Sequence, residues 1–329
     1  MISLMFTTLL DAKTPLPSYA AQYSVFSGDG SQLIYVNAMG TEIIKIQVKT
    51  EKIIKRIPFK LKTGSTLLAP TPDGFKLLAV HSKGIDVIHN GTGKVLRTLP
   101  HPSGQYDWRG GVIQQNSNGS LLAIPSMRNN SSPKIYLIHT GSGKIIRQIK
   151  LLQRGKIGSI GFSPNKRLLA YTQYGHKKLT LYLYDISQQK QHMRMEIITT
   201  GDSYQEMIHF SRNNQQLVLS GINQKTVKLI DIKQKTIKQL PYPYSSFTDF
   251  SADNKSLLII QPHKNTLTLR NIATGKQQIN RLSANKTDYF ATVIQARNKT
   301  LLALPKRNAK PKETASFLWI DARTGKAFH

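Results

Sequence analysis

The chain has 329 residues, with 46 Lys and Arg against 17 Asp and Glu, a formal net charge of +29, and no cysteine. That composition excludes a disulfide framework, a thiolate nucleophile, Cys-ligated zinc or iron–sulfur centres and c-type haem attachment. Hydrophobic residues make up 39% of the chain, enough for a packed core, and no stretch approaches about 18 uninterrupted apolar residues.

Residues 1–20 form a separate N-terminal segment. Its apolar, β-prone run Ile2–Leu10 admits three readings. It is a strand that closes a ring with the C-terminus, the remnant of a signal peptide followed by Ser18-Tyr19-Ala20, without a basic leading region, or a disordered arm. From residue 21 to 329 the chain reads as one domain made of repeats. A paired apolar motif recurs at Leu33-Ile34, Leu77-Leu78, Leu121-Leu122, Leu168-Leu169, Leu217-Val218, Leu257-Leu258 and Leu301-Leu302, at spacings of 44, 44, 47, 49, 40 and 44 residues.

Turn chemistry precedes each pair: Gly28-Asp29-Gly30, Pro72-Asp73-Gly74, Ser117-Asn118-Gly119, Pro164-Asn165-Lys166, Arg212-Asn213-Asn214, Ala252-Asp253-Asn254 and Arg297-Asn298-Lys299. Asp, Asn and Gly tolerate the positive φ of tight hairpins. A second turn follows in several repeats, as at Gly91-Thr92-Gly93, Gly141-Ser142-Gly143, Ala273-Thr274-Gly275 and Arg323-Thr324-Gly325. In the second repeat the spacing predicts a second strand over Lys76–His81, a third over Ile85–His89 and a fourth over Lys94–Leu99. The near-continuous apolar second strands fit burial on both faces. Four-stranded units of about 40–45 residues are propeller blades. The expected fold is all-β, a seven-bladed β-propeller of four-stranded antiparallel blades. The chain stops soon after Lys326, so the last outermost strand is short or missing.

The phrases Phe162-Ser163-Pro164-Asn165-Lys166-Arg167-Leu168-Leu169-Ala170 and Trp319-Ile320-Asp321-Ala322-Arg323-Thr324-Gly325-Lys326, with Leu183-Tyr184-Asp185-Ile186 and Leu229-Ile230-Asp231-Ile232, resemble the YVTN-type, WD40-like bacterial β-propeller family. The resemblance spans roughly residues 22–329 and implies architecture, because such propellers serve many functions. No repeat carries the Gly-His and Trp-Asp pair of strict WD40 proteins, and His89 and His139 replace the third-strand Asp. A repeat-structural hydrogen bond is the expected role of both histidines. The resemblance places the protein in a bacterium, either periplasmic or secreted, or cytoplasmic.

Asp29, Asp73 and Asp253 fall in turns, and Asp185, Asp231 and Asp321 end third strands. Asp107, Asp202, Glu206, Asp249 and Asp288 fall in or just after the connections from one repeat's fourth strand to the next repeat's first, where aromatics and arginine join them. Tyr106, Asp107, Trp108, Arg109, Tyr204, Glu206, Tyr244, Asp288 and Tyr289 are the expected binding set of this loop face. Several of them lie 12–14 residues upstream of the apolar pair, so a ring makes them converge. Loops on a rigid scaffold commonly carry binding residues, and Tyr, Trp and Arg dominate hot spots. The competing reading is that such aromatics pack blade against blade.

Basic residues concentrate on fourth strands, as in Lys52-Ile53-Ile54-Lys55-Arg56, Lys94-Val95-Leu96-Arg97, Lys144-Ile145-Ile146-Arg147 and Lys235-Thr236-Ile237-Lys238. Lys on an exposed edge discourages edge-to-edge pairing. The same charge supports an alternative reading in which a basic rim with Lys52, Lys55, Arg56, Lys306, Arg307, Lys310 and Lys312 binds nucleic acid or another polyanion, an acidic envelope polymer or anionic lipid.

The leading expectation is a non-enzymatic scaffold with a protein partner at the loop face. A third reading is a lactonase-type hydrolase holding a divalent metal in the channel, with Asp249 and Asp288 as candidate ligands. No catalytic residue, metal site or cofactor is assigned. His81, His209 and His263 have no partner visible in the sequence.

Overall fold

The computed structural model describes residues 24–27, 29–36, 41–50, 52–60, 62, 67–71, 73–81, 83–100, 113–116, 119–126, 133–151, 156–174, 179–197, 206–221, 224–243, 245, 247–282, 294–295, 301–305, 317–321, 324 and 326–328. These residues form seven four-stranded antiparallel sheets, each in simple sequence order. Sheet one holds β1 (Ser24–Phe26), β2 (Gln32–Val36), β3 (Glu42–Gln47) and β4 (Ile53–Pro58). Sheet two holds β5 (Leu67–Pro70), β6 (Lys76–His81), β7 (Gly84–His89) and β8 (Val95–Pro100). Sheet three holds β9 (Gln114–Gln115), β10 (Leu121–Ser126), β11 (Lys134–His139) and β12 (Ile145–Lys150). Sheet four holds β13 (Lys156–Phe162), β14 (Leu168–Tyr174), β15 (Leu179–Asp185) and β16 (Lys190–Ile197). Sheet five holds β17 (Glu206–Phe210), β18 (Gln216–Gly221), β19 (Val227–Asp231) and β20 (Thr236–Leu240). Sheet six holds β21 (Phe247–Phe250), β22 (Ser256–Gln261), β23 (Thr266–Asn271) and β24 (Gln277–Arg281). Sheet seven holds β25 (Ile294–Gln295), β26 (Leu301–Pro305), β27 (Phe317–Asp321) and β28 (Ala327–Phe328).

First strands lie beside first strands: β1 by β5 and β25, β13 by β9 and β17, and β17 by β21. They therefore sit innermost and the fourth strands outermost. The architecture is an all-β propeller of four-stranded antiparallel blades. All seven apolar pairs fall on second strands. Leu33, Leu77, Leu122, Leu169, Leu217 and Leu257 are fully buried. The core lies between sheets: one cluster joins Ala170, Leu181 and Leu183 of sheet four to Ile208, Phe210 and Leu217 of sheet five. Sheet seven ends in a short fourth strand, β28. Residues 1–20, with the Ile2–Leu10 segment, lie outside the described residues.

The first turn of six repeats closes on a side-chain oxygen that accepts the amide five residues on. In five of them a Ser or Thr hydroxyl donates to an Asp or Asn two residues on, and accepts the amide five residues on. Ser163 Oγ to Asn165 Oδ1 is 2.7 Å and Leu168 N to Ser163 Oγ is 2.8 Å. Ser27, Thr71, Ser211 and Ser251 repeat the arrangement. In sheet three, Asn116 Oδ1 accepts from Leu121 N. Each turn places one residue at positive φ, from 60° at Asn254 to 77° at Gly119, with Lys166 at 64°. Glycine enters that region without a Cβ clash, whereas Lys166 carries a cost that the turn's hydrogen bonds offset.

The outer strands are tied to the following sheet. Arg97 Nη2 of β8 donates to the Gly141 carbonyl at 3.1 Å, and Arg147 Nη1 of β12 to Gln189 Oε1 at 2.6 Å. A Cβ on Gly93 would meet the Pro58 carbonyl of β4, and one on Gly143 would meet Leu99 of β8. The third-to-fourth-strand turns of sheets two and three thus seat on the ends of the preceding outer strands, so β4, β8 and β12 succeed one another along the rim.

Candidate functional site

Antiparallel order brings two kinds of strand end to the same face. These are the ends that bracket the fourth-to-first connections and those that bracket the second-to-third connections. The expected binding residues belong mainly to the first kind. Tyr106, Asp107, Trp108 and Arg109 fall between β8 and β9, Tyr204 between β16 and β17, Tyr244 between β20 and β21, and Asp288 and Tyr289 between β24 and β25. All of them lie outside the described residues, as do Lys306, Arg307, Lys310 and Lys312 between β26 and β27.

Glu206 is described, and its placement corrects the expectation of an open loop-face contact. It is the first residue of β17 and only 2% exposed. Strand alternation puts it on the same side as Ile208 and Phe210, facing sheet four. Gln224 Nε2 donates to Glu206 Oε1 at 3.2 Å, and Lys228 Nζ donates to Gln224 Oε1 at 3.1 Å. Burial pushes the carboxyl up to about 7, against Tyr174, the Lys228 charge and Thr172, all of which favour ionisation. Burial likewise lowers the Lys228 ammonium, and the Glu206 charge partly restores it. The arrangement is a buried carboxyl–amide–ammonium chain that links β17 to β19.

A second cluster fastens sheet two. Asp86 on β7 accepts Thr98 Oγ1 at 2.6 Å and Lys62 Nζ at 2.9 Å. His81 Nε2 lies 3.3 Å from the same carboxylate oxygen, and its Nδ1 accepts the Lys83 amide. Burial opposes ionisation of Asp86, but Thr98, Lys62 and His81 outweigh it and hold the carboxyl below its usual range. A third contact joins sheets five and six: His209 Nδ1 stands 3.3 Å from Oδ2 of Asp249, whose side chain is fully buried, and His209 packs edge-on to Phe247. His81 and His209 thus have partners that the sequence could not show, because the contacts depend on strand register. Asp249 is sequestered by His209 and the Phe250 amide. Among the described residues, no group of three or more His, Asp and Glu side chains is placed to hold a metal.

Two aromatics near the loop face are packing residues. Tyr242 and Phe247 are buried in the clusters on either side of sheet six, and Arg270 covers the Tyr242 ring and donates to its hydroxyl. His89 and His139 cap turns as expected. Nδ1 of His89 accepts the Thr92 amide and Nδ1 of His139 the Ser142 amide, both at 3.1 Å. In other sheets Asp185, Asp231 and Asn271 accept the corresponding amides. At Asp185 burial works against ionisation. The Ser187 hydroxyl, the Gln188 amide and Arg167 outweigh it and hold the carboxyl far below the usual range.

Of the rim residues, Lys52 and Lys55 are exposed. Arg56 is half-buried and paired with Glu42 at 3.2 Å, so it is not the open cation expected of a polyanion site. Sequence reasoning missed the rim ties made by Arg97 and Arg147. Their partners lie 44 and 42 residues away, close to the repeat length, which was the available signal.

No protein-family profile and no curated protein matches the chain by sequence. Solved structures do match in fold. A chain of Kuenenia stuttgartiensis hydrazine synthase has a TM-score of 0.68 at 13% identity, covering 97% of this chain and 99% of that one. The Myceliophteria thermophila Cps50 (Swd1) β-propeller domain has a TM-score of 0.60 at 11% identity, covering 90% and 96%. At these identities the likeness is one of fold.

Proposed function

We propose that the chain is a seven-bladed propeller of the YVTN-type, WD40-like kind, one blade per sheet, and that it serves as a non-enzymatic scaffold. It binds a protein partner through its loop face, using Tyr106, Asp107, Trp108, Arg109, Tyr204, Tyr244, Asp288 and Tyr289. The observation that carries this reading is where the acids go. Asp29, Asp73, Asp185, Asp231 and Asp253 cap turns. Glu42 and Glu196 pair with arginine, while Asp86, Asp249 and Glu206 are held inside or between sheets. The scaffold thus employs its carboxylates structurally, and those left beside aromatics belong to the fourth-to-first connections. A rigid ring presenting aromatics, Arg and a few acids on one face suits partner recognition. The two similar structures carry unrelated names, so their likeness supports the fold and brings no activity.

The test is affinity capture from the native cell with the full chain as bait. The wild type retains a defined partner, and Trp108→Ala or Tyr289→Ala releases it at unchanged melting temperature. Retention by both variants refutes the assignment of the face.

A further inference from the structure

The outer strands of sheets one to three share a feature that edge protection does not explain. The tetrads Lys52-Ile53-Ile54-Lys55, Lys94-Val95-Leu96-Arg97 and Lys144-Ile145-Ile146-Arg147 occupy the same register. In each, the pairing with the third strand slips by one residue: Ile46 pairs Ile53 but Lys45 pairs Lys55, Ile88 pairs Val95 but Val87 pairs Arg97, and Ile138 pairs Ile145 but Leu137 pairs Arg147. The unpaired bulge residue is Ile54, Leu96 or Ile146, and these are 48%, 48% and 46% exposed. Val95 and Ile145 beside them are exposed as well. A bulge re-aims a side chain and breaks the regular edge. Lys alone would have protected the strand, yet three successive blades put a large aliphatic at the bulge, each between cations.

The three strands themselves carry no acid: β4, β8 and β12 hold no Asp or Glu. Sheet four marks its limit. Its bulge residue is His192, and its outer strand carries Glu196 and no exposed aliphatic. The seating of the 90–93 turn on β4 and of the 140–143 turn on β8 makes the three strands continuous along the rim.

We propose that this arc is a docking surface for an anionic lipid bilayer, with Ile54, Leu96 and Ile146 entering the headgroup–acyl boundary and Lys52, Lys55, Lys94 and Lys144 meeting the headgroup charge. The chemistry selects this partner. Paired aliphatic and cationic side chains are what interfacial binding uses. Nucleic acid calls for aromatic stacking platforms, and no aromatic lies on β4, β8 or β12. A peptide adding as a fifth strand calls for a regular edge, which the bulges interrupt. The surface is separate from the loop face and does not depend on it.

The test is co-sedimentation of the full chain with vesicles of equimolar phosphatidylcholine and phosphatidylglycerol, against vesicles of phosphatidylcholine alone. The protein binds the anionic vesicles at low salt and not the neutral ones. The triple variants Ile54→Ser/Leu96→Ser/Ile146→Ser and Lys52→Gln/Lys94→Gln/Lys144→Gln each weaken binding by about ten-fold or more. Should a triple variant fold poorly, Leu96→Trp reports directly: its emission moves to the blue on adding anionic vesicles, while His192→Trp, at the sheet-four bulge, does not move. No binding to anionic vesicles at low salt overturns the proposal. So does vesicle binding that the aliphatic variant retains in full, or a Trp at position 96 that stays in water. Binding to single-stranded RNA that survives loss of the aliphatics, with no vesicle binding, identifies a polyanion partner instead.

Discussion

Arg97 on the outer strand of sheet two donates to the carbonyl of Gly141 in the turn of sheet three, at 3.1 Å, one repeat length away. The contact ties sheet two to sheet three. It also shows that part of the basic excess on fourth strands fastens one blade to the next. Arg97→Ala is expected to lower unfolding free energy by about 0.5–1.5 kcal/mol, the range for one hydrogen bond. Gly143→Val is expected to cost more, about 2–4 kcal/mol, because φ there is 73° and the new side chain meets Leu99. Urea denaturation of the two variants provides the comparison.

Asp185 anchors the third-strand turn of sheet four. It accepts Ser187 Oγ and Gln188 N, and its other oxygen accepts Arg167 Nε. Asp185→Ala is expected to cost about 2–4 kcal/mol, since bonds to a charged acceptor exceed neutral ones. The pH dependence has a definite sign. The folded carboxyl sits below the ordinary value of 3.8, so its stabilisation is full above that value and is lost as pH falls through the folded one. The gap between wild type and variant therefore narrows on acidification, which equilibrium unfolding at several pH values measures.

Glu206 has the opposite sign. Its carboxyl is raised from 4.5 to about 7 in the folded chain. The folded state holds the proton more tightly, so the stabilisation is complete below 4.5 and is lost as pH climbs toward 7. The shift corresponds to on the order of 3 kcal/mol. Glu206→Gln, which mimics the protonated form, should match wild type only below 4.5 and become the more stable of the two as pH climbs, the gap reaching its full size above about 7. Equal stability of the two proteins in alkaline buffer would contradict the buried placement.

The turn histidines offer a test of interchangeability. His139 Nδ1 stands where Asp185 Oδ1 stands in sheet four. His139→Asp is expected to leave the melting temperature within the range of ordinary surface changes, about 0.5 kcal/mol. His139→Leu, which removes the acceptor, should lose about 1 kcal/mol.

The repeat architecture was legible because it rests on local rules. Apolar pairs mark second strands, triplets with Asp, Asn or Gly mark the first turn, and triplets ending in Gly mark the second in several repeats. The predicted strands of sheet two differ from β6, β7 and β8 by one residue at most. What escaped the sequence depends on register and on neighbours. His81 reaches Asp86 only because Ala79 pairs Asp86 and His81 pairs Gly84. The outward aliphatics of the rim arise from one-residue slips that composition does not record. Glu206 was grouped with the loop by its position in the chain, although the alternation Glu206, Ile208, Phe210 already pointed it inward.

The central claim is that a partner is held by the aromatic and acidic loop face. It is tested most directly by measuring how much captured partner remains on Trp108→Ala/Tyr289→Ala bait relative to wild-type bait, with both baits checked for identical melting. The account predicts that the partner falls to background on the double variant and survives a moderate rise in salt on wild type. A partner recovered in equal amount on both baits would contradict it.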